Sequence, residues 1–144
     1  MARNFPLAGL LGLRRLEENQ AATALSAANR RAGAIRDRQD ATLQGLDGTP
    51  TAVVDANALR MAAIARASSR SMLADLAALT AVAEADTVQA QEDFRAARAR
   101  TTGLEKLEGK HAAELAVEDL RTEQLVLDEI ASSSWHRQRE SVAQ

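Results

Sequence analysis

Glu108 and His111 form the one Glu-x-x-His pair in the chain. On a helix this spacing puts both side chains on one face, and helical di-iron bundles use two such pairs plus further carboxylates from two other helices. The second histidine, His136, is preceded three residues earlier by Ser133, so the companion pair is missing. The expected role of Glu108 and His111 is therefore a solvated helix face, with no metal ligand among them. The stretch "GLEKLEGKH", Gly103 to His111, superficially suggests a phosphate loop. That motif needs four residues between its glycines and a Ser or Thr after the lysine, whereas here five intervene and His111 follows. Two histidines without a recognisable nucleophile turn do not assemble a catalytic triad. With no cysteine there is no thiol catalysis, thiolate zinc site or disulfide. No catalytic residue, cofactor or metal is expected, and the chain does not read as an enzyme.

The elements that position these residues follow from composition. Of 144 residues 46% are hydrophobic, but the large share of alanine and an aromatic content of only 2% leave little area per side chain for a globular core. Alanine, leucine, arginine, glutamate and glutamine are the strongest helix formers, so long helices packed along thin seams are expected, and no sheet. The formal net charge is -2, and no basic cluster is interleaved with aromatics, which argues against nucleic acid as a partner.

The opening stretch "NFPLAGLLGLRRLEENQ" carries nine apolar residues from Phe5 to Leu13, too few for the roughly 20 that cross a bilayer. A small-x-small cleavage site does not follow; Arg14, Arg15, Glu17 and Glu18 do, so a secretion signal is not expected. The stretch reads as a helix start with Asn4 or Phe5 near the cap and Pro6 in the first turn.

The chain's two prolines are Pro6 and Pro50, and the second lies in "QGLDGTPT" beside Gly45 and Gly48, with Thr49 a candidate N-cap. This break divides a single coiled-coil domain, 1–144, into a first helix near 6–46, a turn near 47–51 and a second helix near 52–138. A bend is weighed at "ASSRS", 67–71, and Gly103 and Gly109 are soft points. The first helix shows a 3-4 spacing through Leu7, Leu11, Leu25, Ala28, Ala32, Ile35, Thr42 and Leu46, with Arg14, Glu18 and Gln39 between. In the second, Leu73, Leu76 and Leu79 lead through Ala83, Ala90 and Ala97 to Leu104 and Leu107. Another apolar face carries Leu115, Leu120, Leu125, Leu127 and Ile130, and a change of register between the two is expected.

The predicted fold is all-α: an elongated antiparallel two-helix coiled-coil hairpin with a longer second helix. A tight turn near Gly48 would set Leu7 opposite about residue 90, leaving Leu104 to Trp135 without an intramolecular partner. Another protein is the expected cover. Trp135, the single tryptophan, is open to two readings, packing at a helix end or anchoring a protein contact.

Both ends of the chain resemble the flagellar export protein FliJ family. The opening "FPLAGLLGLRRLEENQAA" supplies Phe5, Leu7, Leu10, Leu11, Leu13, Arg14 and Glu17; the closing "EQLVLDEIASSSWHRQRE" supplies Leu127, Asp128, Glu129, Ile130 and Ala131. The resemblance implies a long antiparallel two-helix coiled coil that acts in assembly and coupling within the flagellar type III export apparatus. Implied partners are the export ATPase hexamer, the cytoplasmic domain of the export gate and export chaperones. The implied place is the cytoplasm, peripherally at the inner face of the cell membrane at the flagellar base. By that likeness Leu10, Leu11, Arg14, Leu127, Asp128 and Glu129 would face the ATPase ring, and Leu43, Leu46, Met61 and Ile64 the gate. The chain departs from the family in having no aromatic residue between Phe5 and Phe94. Composition alone also tolerates a small helical secretion chaperone or a generic scaffold coiled coil.

Overall fold

A computed structural model of the protein describes residues 4–48, 52 and 55–142, the last five of these by their backbone only. It is all-α, with two helices, α1 (Ala8–Asp47) and α2 (Ala56–Val142), packed against each other as a hairpin. Pro6 lies in the turn that leads into α1, where the Ala8 amide donates to the Phe5 carbonyl over 3.1 Å. A fixed proline φ suits that position and the missing N–H goes unneeded. Asp55 starts α2: its carboxylate Oδ1 accepts the Ala58 amide at 2.7 Å, and its carbonyl accepts the Leu59 amide at 3.1 Å. Thr49 and Pro50, the expected cap and first residue of the second helix, lie outside the described residues. From Ala56 the helix runs through Ala67 to Ser71 without interruption.

Two compact units make up the chain. Unit 1 comprises Met1–Arg15 and Arg100–Gln144; unit 2 is Leu16–Ala99. In unit 2 the helices run antiparallel, as four contacts establish. Arg98 pairs with Glu18 at 2.7 Å, and Arg36 pairs with Glu84 at 3.1 Å. Thr80 Oγ1 lies 3.4 Å from Gln39 Oε1, and Thr42 Oγ1 lies 3.7 Å from Met72 Sδ. Unit 1 is antiparallel as well. Phe5 stacks at a tilt on His111, Arg15 pairs with Glu105 at 3.2 Å, and the Thr101 hydroxyl donates to the Arg14 carbonyl.

The covered stripe on α1 is Leu11, Arg14, Glu18, Ala21, Leu25, Ala28, Ala32, Ile35, Gln39, Thr42 and Leu46, an unbroken alternation of three and four. On α2 the same alternation holds from Ala62 to Leu115. The expected change of register along the second helix does not occur. Leu79 and Leu107 stand largely exposed, and Thr80 and Glu108 take the inward positions beside them. Thr80 can sit there because its hydroxyl donates to the Leu76 carbonyl at 2.8 Å, leaving only its methyl to pack. Ala28, Ala32, Ala83 and Ala97 are buried, so the seam is lined by side chains that fill little volume.

The pairing level differs from a tight turn at Gly48. Phe5 meets His111, which puts Leu7 level with about residue 109 rather than 90. At the other end Thr42 already meets Met72, so α1 ends while the first turns of α2 are still to be passed. The surplus of α2 is therefore split. One part precedes about residue 70, the other begins after Leu115, and Leu104 belongs to the covered seam.

Candidate docking surfaces

In unit 1 the seam stops at Leu115, and every described side chain from Ala116 to Arg137 is exposed. This part of α2 carries Val117, Leu120, Leu125, Val126, Leu127 and Ile130, with Leu120 and Leu127 each 65% accessible. Its charges are Glu118, Asp119, Glu123, Asp128 and Glu129 against Arg121 and Arg137, an acidic balance. Apolar side chains left in water at this density on one helix are unfavourable, and such patches mark contact sites. Trp135 is exposed, with its ring edge-on to His136 at 5.5 Å.

Of the six residues read as facing an ATPase ring, the structure does not bring the two groups together. Leu10 is exposed on α1 and Arg14 is half-buried, at the level of Thr101 and Glu105. Leu127, Asp128 and Glu129 lie more than five turns further along α2, roughly 30 Å at 1.5 Å per residue. Leu11 is 2% exposed and faces the seam. In unit 2, Leu43 is exposed and Leu46 half-buried near the end of α1, while Met61 and Ile64 are 61% and 63% exposed in the first turns of α2.

Glu108 and His111 sit on the seam face, half-buried, rather than on a solvated one. His111 occupies its position by packing on the Phe5 ring, with centroids 5.7 Å apart. Among the described residues no group of three His, Cys, Asp or Glu side chains is placed to hold a metal ion. Nor is any described helix long and apolar enough to cross a membrane. Thr101, the most buried side chain among the described residues, is not legible as a site, although the gap of seven between Ala97 and Leu104 leaves its position to be filled.

A two-helix hairpin whose seam ends before its longer helix does, leaving apolar side chains uncovered, defines a protein of the kind that works by contact with others. Residues 3–140 match the family described as "Flagellar FliJ protein", and the chain belongs to that family. Membership places it in flagellar protein export, in association with the export apparatus, and in a family not known for enzymes. The chain matches no curated protein. It likewise matches no solved structure.

Proposed function

We propose that the protein is a non-enzymatic coupling and chaperone-handling component that links the flagellar export ATPase to the membrane export gate. One observation carries the ATPase part: α2 continues for about seven turns beyond the last seam residue, Leu115, with its leucines and Ile130 exposed. A helix end of this length is costly to leave bare and is well suited to insertion into a ring-shaped partner. Leu127, Asp128 and Glu129 are the contact residues there, with Leu10 and Arg14 further back and Leu11 serving the seam that holds them. Leu43, Leu46, Met61 and Ile64 supply the gate contact, and export chaperones use the same exposed surfaces between rounds of delivery. The protein works in the cytoplasm, held at the inner face of the cell membrane at the flagellar base.

A pulldown of the full chain with the cognate export ATPase tests this. Binding is expected, together with loss of motility on deletion of the gene. Absence of binding alongside normal motility removes the reading, and stable self-association without either export partner would indicate a plain scaffold.

A further inference from the structure

We propose that residues 114–137 of α2 form an antiparallel coiled coil with the same residues of a second copy of this chain, on the helix face turned away from α1. This goes beyond the ATPase reading and stands on a stripe that the seam does not contain. Val117, Leu120, Gln124, Leu127, Ala131 and Ser134 follow an alternation of three and four, and all six are exposed, Val117 at 64% and both leucines at 65%. At about 100° per residue their mean direction lies about 160° from that of Leu104, Glu108, His111 and Leu115, the last four seam residues. The line that prolongs the seam itself turns polar, with Glu118, Thr122 and Glu129 around Leu125. A partner lying where α1 would continue therefore meets carboxylates, and the apolar stripe waits on the other side.

Charge selects the second copy and its direction. With the two-fold axis between Leu125 and Val126, Leu120 faces Ala131 of the second copy, Val117 faces Ser134 and Gln124 faces Leu127, large against small in two of the three layers. On the flank of this coil Arg121 meets Asp128 of the second copy, and symmetry makes the pair twice. Glu123 meets Ile130 and Glu114 meets Trp135, so no like charges face each other. A shift of one heptad either way sets Arg121 on Arg121 or Asp128 on Asp128, and a parallel pair sets Glu123 on Asp128. Only the centred antiparallel alignment avoids all three. Glu118, Asp119 and Glu129 lie on the outer face, where their repulsion is screened. Leu127 and Asp128 are used in this pairing, so a chain held in it cannot also offer them to the ATPase ring.

Sedimentation equilibrium of the full chain tests this. A dimer is expected, with R121D or D128R alone weakening it about tenfold and the double variant R121D/D128R restoring it. Loss in both single variants without rescue in the double overturns the reciprocal pair. Disulfide trapping reads the orientation, since the chain has no cysteine of its own. V117C mixed with S134C should cross-link faster than either variant alone; preferential linking of each variant to itself overturns the antiparallel arrangement. These two variants keep every charge, so they decide the matter even if R121D loosens the helix. Excess export ATPase is expected to dissociate the dimer, and a dimer that stays intact on the ATPase overturns the shared surface. A monomeric wild type that captures the ATPase overturns the dimer and leaves the ring contact standing. A wild-type dimer that captures no ATPase supports the dimer and removes the ring contact.

Discussion

Thr101 donates its hydroxyl from α2 to the carbonyl of Arg14 on α1 over 3.2 Å, at the most buried side chain among the described residues. Thr101→Leu is expected to destabilise unit 1 by about 1–3 kcal/mol through overpacking. Thr101→Val should cost under about 1 kcal/mol, since its added methyl offsets the lost hydrogen bond. Chemical denaturation of the two variants orders them, and equal stability would show that the seam is loose at this level.

Two ion pairs of similar length differ in exposure. The Glu18 side chain, 13% exposed, pairs with Arg98, whereas Glu84, at 54%, pairs with Arg36. Glu18→Gln is expected to cost about 1 kcal/mol or more, and Glu84→Gln about 0.5 kcal/mol or less, because water and salt screen the second pair. Thermal melts at two salt concentrations measure both, with the Glu84 effect vanishing at high salt.

Gly103 and Gly109 stand inside α2 with open space where a Cβ would project. Alanine at either position should stabilise the helix by about 0.5–1 kcal/mol. A raised melting temperature with impaired export in cells would show that the softness is used. A lowered melting temperature would contradict the open space.

Ala97 is buried in the middle of α2. Proline there removes an amide donor and collides with the preceding turn, so Ala97→Pro should cost about 3 kcal/mol or more. Far-ultraviolet circular dichroism must fall; an unchanged spectrum is incompatible with a continuous α2.

Asp128 and Glu129 lie exposed well beyond the last seam residue. Changing both to alanine should leave helicity within error of wild type and weaken capture of the export ATPase. Global unfolding of the variant, with no selective loss, would make these charges structural.

Much of α1 is legible in the sequence. Leu11, Arg14, Glu18, Leu25, Ala28, Ala32, Ile35, Gln39, Thr42 and Leu46 follow from one alternation of three and four, and all ten face inward, whereas Leu7, expected at the head of the same seam, precedes α1 and is exposed. In α2 the leucines misled. Leu79 and Leu107 advertise a stripe by hydrophobicity, yet they fall beside the alternation of three and four that seats Leu73, Leu76, Phe94 and Leu104, and Thr80 and Thr101 hold inward places in it. The extent of the bare helix was misjudged for another reason. It depends on where pairing begins, and cross-helix contacts such as Arg36 with Glu84 set that level, which no local window contains. Asp55 as the cap of α2 escaped notice because Pro50 offered a stronger local signal. The candidate docking residues Leu127, Asp128 and Glu129 come from the resemblance to the family rather than from periodicity, and all three lie exposed on α2 beyond the seam.

Ala83, Ala90 and Ala97 recur at intervals of seven on the inward face of α2. Slide α1 by one such interval and two of these three alanines fall on an alanine's place again, the third on that of Leu76 or Leu104, so packing tells neighbouring alignments apart only weakly. What distinguishes them is sparse: Glu18 against Arg98, Arg36 against Glu84, Gln39 beside Thr80. Unit 2 behaves as a vernier whose graduations are nearly identical, and three polar marks decide where it is read.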